Sequence, residues 1–133
     1  EQATQILRAA GIDNIFLLAP TTSDERIKKI ASLASGYLYC VSLNGVTGAG
    51  HLNIAAVTEK LASIKRHTNL PITVGFGIKD GASAAALAPL CEGVVVGSAL
   101  IERIVATDSA LNNTERAAVA AELIAEIRTA IDA

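Results

Sequence analysis

The sequence predicts an α/β domain in which four parallel strands alternate with helices and the helices cover one face of the sheet. Three observations carry that expectation. Short apolar runs rich in Val, Ile and Leu alternate with stretches of helical periodicity. The runs begin near residues 14, 36, 71 and 93, so they are spaced by 22, 35 and 22 residues. Strands apolar at nearly every position suit a parallel sheet rather than a half-solvated antiparallel one. With 133 residues, 51% of them hydrophobic, the chain can bury one core and is too short for two domains.

The elements follow in order. Ala3, Ile6, Leu7 and Ala10 share a helical face that Gly11 closes. Residues 14–19 read as a strand stopped by Pro20. Thr22 to Glu25 has the spacing of a capping box, ahead of a helix that turns Ile27, Ile30, Leu33 and Ala34 inward. Residues 36–41 form the second strand, and a loop runs from Ser42 to Leu52. The next helix buries Ile54, Val57, Leu61 and Ile64. Residues 71–76 form the third strand, and Asp80 to Leu90 a short Ala-rich helix with Pro89 near its end. Residues 93–96 form the fourth strand. A short extra helix is expected from Ser98 to Ala106, and a last one from Asn113 to Ile131 with Val119, Leu123, Ile127 and Ile131 inward.

Four such βα units are half of a (β/α)8 barrel, whose usual size is about 250 residues. An open flavodoxin-like sheet is the alternative, but it calls for a fifth strand and a Gly-rich turn after the first. The first strand ends instead in Ala19-Pro20-Thr21-Thr22. The expectation is therefore one unit over residues 1–133, a half-barrel. The absence of any methionine suggests that it belongs to something longer.

Composition narrows the function. A net charge of −2 with 18% charged residues offers no basic patch for nucleic acid and no acidic disordered tail. No apolar run approaches the roughly 18 residues of a membrane span, and the first residues lack the character of a secretory signal. Cys40 and Cys91 lie in apolar stretches and read as buried, reduced thiols; a cytoplasmic location is expected. No spacing of His, Cys and carboxylates suggests a metal.

Three glycine clusters carry the chemical signal: Asn44 to Gly50, Gly75-Phe76-Gly77-Ile78, and Gly97-Ser98. Each follows a strand, so all three fall on the face where such barrels hold their active sites. Glycine lets main-chain N–H groups approach an anion, and a helix starting at Ser98 adds its positive dipole end. Each cluster by itself also fits a plain turn, cap or connection. Tyr39 and Phe76 are positioned to line an apolar pocket, though ordinary core packing accounts for either. His51 reads as a surface loop residue and His67 as a partner for a helix C-terminus. Proton transfer needs a positioned acid or base, and the one carboxylate after a strand, Asp80, reads as a helix cap.

The stretch from Tyr37 to Gly48, containing Tyr39-Cys40-Val41-Ser42 and Gly45-Val46-Thr47-Gly48, resembles the alpha subunit of tryptophan synthase. The stretches 75–78 and 97–99 follow at the intervals of that family. The resemblance runs over essentially the whole chain but covers the C-terminal half of the family's barrel. It implies a lyase of tryptophan biosynthesis that cleaves indole-3-glycerol phosphate to indole and glyceraldehyde 3-phosphate. By position, Gly48, Gly77, Gly97 and Ser98 would hold the phosphate. Gly75 and Phe76 would shape the adjoining wall, Tyr39 would lie beside the indole, and Thr47 would belong to the mobile closing loop. The family's catalytic Glu and Asp belong to the missing N-terminal half, so no catalytic residue is expected here. Leu43 and Asn44 stand where many members carry Arg and then Ser or Thr. The implied partners are the missing half of the barrel, the phosphorylated indole substrate and the beta subunit, which carries pyridoxal phosphate; the chain itself needs no cofactor.

Two other readings stay open. Four strands leave two unpaired sheet edges and an uncovered apolar face, which a second copy would also satisfy. That makes a non-catalytic, self-associating half-barrel the first. A different phosphate-binding barrel enzyme is the second.

Overall fold

The structure, a computed structural model, describes residues 2–42, 53–75, 77–107 and 111–133. Among them, four strands form one parallel sheet in sequential order: β1 (Phe16–Leu18), β2 (Leu38–Val41), β3 (Ile72–Gly75) and β4 (Gly93–Val95). The helices are α1 (Gln2–Ala9), α2 (Asp24–Leu33), α3 (Ile54–Lys65), α4 (Gly81–Leu87), α5 (Ser98–Val105) and α6 (Asn113–Asp132). No helix among the described residues is long and apolar enough to cross a membrane.

Register divides the sheet into two faces. Leu18, Cys40, Val74 and Val94 are paired across the four strands. They point into the helix layer, where Ile27 of α2, Leu61 and Ile64 of α3, Leu87 of α4 and Leu123 and Ile127 of α6 complete the core. Each buried Leu or Ile side chain contributes about 1.5–3 kcal/mol by leaving water. The alternate row, Leu17, Tyr39, Thr73 and Gly93, faces the other way. Leu17 is 65% exposed although it stands in a strand. Helices thus cover one face, as the sequence predicts.

The local signals account for the helix boundaries. Gly11 takes φ +71° and donates to the Arg8 carbonyl while Ile12 donates to Leu7, which is a Schellman stop. Asn53 caps α3 through the Ala56 N–H, and Asn112 and Glu115 cap α6 reciprocally. Asp80 caps α4 with Ser83, as expected, and the Ser83 bonds hold its carboxyl below the usual range. Pro89 ends α4 early: the helix stops at Leu87, and Ala88–Leu90 tighten into a 3-10 turn, because a proline ring has no N–H to continue the ladder.

Three expectations change. The N-cap of α2 is Ser23, which accepts from Arg26 N–H, and not Thr22. Thr22 Oγ1 accepts instead from Ala19 N–H, closing the turn after β1. The strands are shorter than their apolar runs, β1 at both ends, β2 and β3 at their starts and β4 at its end, because ladder length is set by the neighbours' register and not by hydrophobicity. Asn14, for example, spends its N–H on Ser35 Oγ and its amide on Thr4 Oγ1. The face of α1 is not inward: Ala3 and Ala10 are exposed, Ile6 is 64% exposed, and the buried residue of that helix is Thr4.

One carboxylate secures the start of β3. Glu92 Oε2 accepts from Ile72 N–H at 2.7 Å, and Oε1 pairs with Lys65 Nζ at 3.0 Å. The Ile72 bond, with Lys65 beside it, lowers the Glu92 carboxyl below its ordinary value of 4.5. The unfolded chain binds this proton more readily, so the stabilisation is complete above about pH 4.5 and is lost as pH falls through the lowered folded value. Glu92→Ala should cost about 1–2 kcal/mol at pH 7, and Glu92→Gln should flatten the acid limb; urea unfolding at pH 7 and at pH 3 measures both. Burial pushes the Cys40 thiol up to about 11 and raises that of the half-buried Cys91. In native protein at pH 8, an aromatic disulfide reagent should modify Cys91 slowly and Cys40 only on unfolding.

Candidate functional site

Sequential parallel pairing puts the C-terminal ends of all four strands on one side, and the tips of β2, β3 and β4 are adjacent there. Two bonds tie β2 to β3: Ser42 donates both its N–H and its hydroxyl to the Gly75 carbonyl, each at 2.9 Å. Ser42 is buried, as is Gly75. Gly75 is in register with Val95 of β4. Gly77 and Gly97 each stand two residues beyond that pair, so both begin the loops that leave neighbouring strand tips.

The backbone at these tips has the form an anion site needs. Gly77 adopts φ +80°, a conformation open to glycine and costly for other residues. Gly97 is the N-cap of α5; it offers no side-chain cap, and its carbonyl accepts from Leu100 and Ile101. The first-turn amides of α5, at Ser98 and Ala99, are those that helix geometry leaves without an intrahelical partner. Among the described residues, a Cβ added at Gly77 or at Gly97 would meet nothing within 4 Å. Ser98 is exposed. No positive side chain is needed for such a site.

Gly75 has a separate, steric reason. A Cβ there would lie 1.9 Å from Tyr39 Oη and 2.4 Å from its Cζ. The phenol of Tyr39 therefore lies across the Gly75 backbone on the helix-free face, and the missing side chain makes its position possible. The sequence singled out both residues but not their contact. Ser42 carried a motif position with no role assigned; its part as a strand tie is legible only in the fold.

Of the other sequence-predicted site residues, Thr47, Gly48 and Phe76 lie outside the described residues, as do Gly45, Gly50, His51, Leu43 and Asn44. His67 follows Arg66, the C-cap of α3, at the end where a dipole partner belongs. On the described residues the tips of β3 and β4 thus carry a left-handed glycine turn and an uncapped helix start, and the Tyr39 phenol lies against Gly75. Asp80, the carboxylate nearest the Gly77 turn in sequence, is committed to capping α4.

Comparison with known proteins identifies relatives of the chain. The family model described as Tryptophan synthase alpha chain matches residues 1–131. The tryptophan synthase alpha chain of Thioalkalivibrio sulfidiphilus is 52% identical over 128 residues, which are 96% of this chain and 47% of that protein. That of Dechloromonas aromatica is 52% identical over 126 residues, 95% of this chain and 46% of the relative. Among solved structures, tryptophan synthase subunit alpha from Legionella pneumophila superposes with a TM-score of 0.82 at 34% identity, covering 99% of this chain and 47% of that one. Tryptophan synthase from M. tuberculosis, in its aminoacrylate-bound form, gives 0.77 at 26% identity, over 98% of this chain and 45% of that one. The chain spans about half the length of the curated relatives it matches. A family match over nearly the whole chain, an identity of half with the curated relatives and a shared parallel α/β architecture lead to one conclusion: the chain belongs to the tryptophan synthase alpha chain family.

Proposed function

We propose that this chain is the C-terminal portion of a tryptophan synthase alpha subunit and supplies its phosphate site and closing loop. The observation that supports the reading is that Gly77 and Gly97 leave neighbouring strands, each two residues past the Gly75–Val95 register pair. Main-chain N–H groups of Gly77, Gly97 and Ser98, joined by Gly48, hold the phosphate of indole-3-glycerol phosphate. In this reading Tyr39 serves the indole ring, and Gly75 and Phe76 serve the adjoining wall of the substrate pocket. Thr47 belongs to the loop that closes over the substrate. The carbon–carbon cleavage that releases indole and glyceraldehyde 3-phosphate requires acid–base groups, and these come from the other half of the barrel.

That other half is the first partner. Exposed apolar side chains gather at both ends of the sheet order: Ile6, Ile12 and Leu17 near β1, and Ile101, Val105 and Ile124 beyond β4. With the bare face around Leu17 they form the kind of surface that a barrel's remaining strands bury. The second partner is a beta subunit, which carries pyridoxal phosphate and receives the indole; this chain holds no cofactor in that scheme. The work is cytoplasmic. Self-association through the same edges is the competing use of this surface.

An assay with indole-3-glycerol phosphate tests the reading. The 133-residue chain alone should release no indole, and inorganic phosphate or glycerol 3-phosphate should raise its thermal midpoint by mass action. Indole release at the rate of a whole alpha subunit would overturn the division of labour. The pocket wall has its own test. Gly75→Ala should cost about 1–3 kcal/mol because the new methyl displaces the Tyr39 phenol. Tyr39→Leu should recover part of that loss in the double variant, giving a coupling that a denaturation cycle measures.

A further inference from the structure

The two loops assigned above to the phosphate leave different strands, and the helices that follow them, α4 and α5, both meet one residue of the last helix. Glu126 of α6 accepts the Gly81 N–H on Oε1 at 3.1 Å. Its other oxygen, Oε2, faces Arg103 Nη2 of α5 at 3.9 Å. Gly81 is the first residue of α4, four residues after Gly77. Arg103 lies on the helix that begins at Ser98. The contact with α4 is close: a Cβ on Gly81 would stand 2.9 Å from the Ala130 Cβ of α6 and 3.4 Å from Glu126 Oε1. A carboxylate at the first N–H of a helix is favourably placed against its dipole, and α5 packs along α6 beside it.

We infer that Glu126 is a positioning residue for the phosphate site, setting the distance between the Gly77 turn and the Ser98 helix start through one carboxylate. This inference rests on the phosphate reading of those loops. The physical argument is that an anion held by main-chain amides from two loops is sensitive to their separation, since a backbone N–H cannot extend toward its acceptor as a side chain can. Backbone N–H groups cannot reach; they must be brought. Glu126 grips the start of α4 by a charge-assisted hydrogen bond and the body of α5 by an ion pair, from a helix anchored in the core by Leu123 and Ile127. The ion-pair arm is the weaker, being half exposed.

The test uses the 133-residue chain, labelled with nitrogen-15 and titrated with inorganic phosphate, with amide shifts at Gly77 and Ser98 as readout. Glu126→Ala should weaken phosphate binding about fivefold, a factor in keeping with the loss of one charge-assisted bond and one exposed pair. Glu126→Gln keeps an acceptor for Gly81 N–H and should lose less. Arg103→Ala should move the Ser98 amide and leave that of Gly77 in place. Ile27→Val, a core change in α2, controls for general loss of stability and should leave the phosphate affinity as it was. If Glu126→Ala folds with the wild-type circular dichroism and the wild-type phosphate affinity, the inference is overturned. If that variant does not fold, Glu126→Gln and Arg103→Ala decide, and unchanged affinity in both overturns it. If wild type itself shows no saturable shift, the phosphate reading falls and takes this inference with it.

Discussion

Everything proposed for this molecule depends on in-register parallel pairing of β2, β3 and β4. Parallel pairing in sequential order sends every strand's exit to one side, so loops separated by tens of residues in sequence become neighbours. Ser42 shows how firmly the register is set at that side. Both its N–H and its hydroxyl end on the Gly75 carbonyl, leaving no freedom for β2 and β3 to slide at their tips. A slip of one residue would turn the Tyr39 row into the helix layer and the Cys40 row out of it. It would also separate the Gly77 turn from the start of α5.

The same sheet is asymmetric in what it covers. One face is closed by helices over Leu18, Cys40 and Val74, all without exposed surface. The other carries Leu17, Tyr39 and Thr73 with no helix over them. A parallel sheet made of apolar strands is normally buried on both sides, and the curated relatives are about twice as long as this chain. The asymmetry, the apolar ends of the sheet and the shared family agree on a half-barrel whose inner face belongs against further strands.

Fit within the site comes from subtraction as much as from addition. Gly75 matters for the side chain it lacks, because the Tyr39 phenol occupies that space. Gly81 matters similarly, because α6 comes against it through Ala130. Gly77 matters for a backbone angle, and Gly97 for being a cap without a side chain in the way. Four glycines therefore have three physical reasons among them, and no single motif-level explanation covers all four.

Much of this was legible in the residues alone. Alternating apolar runs and helical periods determined the order of strands and helices. Asp80 marked a helix start, and the clusters around Gly77 and Gly97 marked the ends of β3 and β4. These signals are local: a cap reaches two or three residues, and an apolar period reports its own segment's burial. Tertiary structure decided what depends on partners far away in sequence. The ladder, and not the apolar run, set where each strand ends. The choice of Ser23 over Thr22 as cap was settled by the turn at Ala19, which takes the Thr22 oxygen. The grip of Glu92 on Ile72, of Glu126 on Gly81 and of Tyr39 on the space at Gly75 spans 20, 45 and 36 residues. A long-range contact is chosen by three-dimensional proximity, and nothing in one residue's neighbours along the chain encodes which distant group the fold will bring to it.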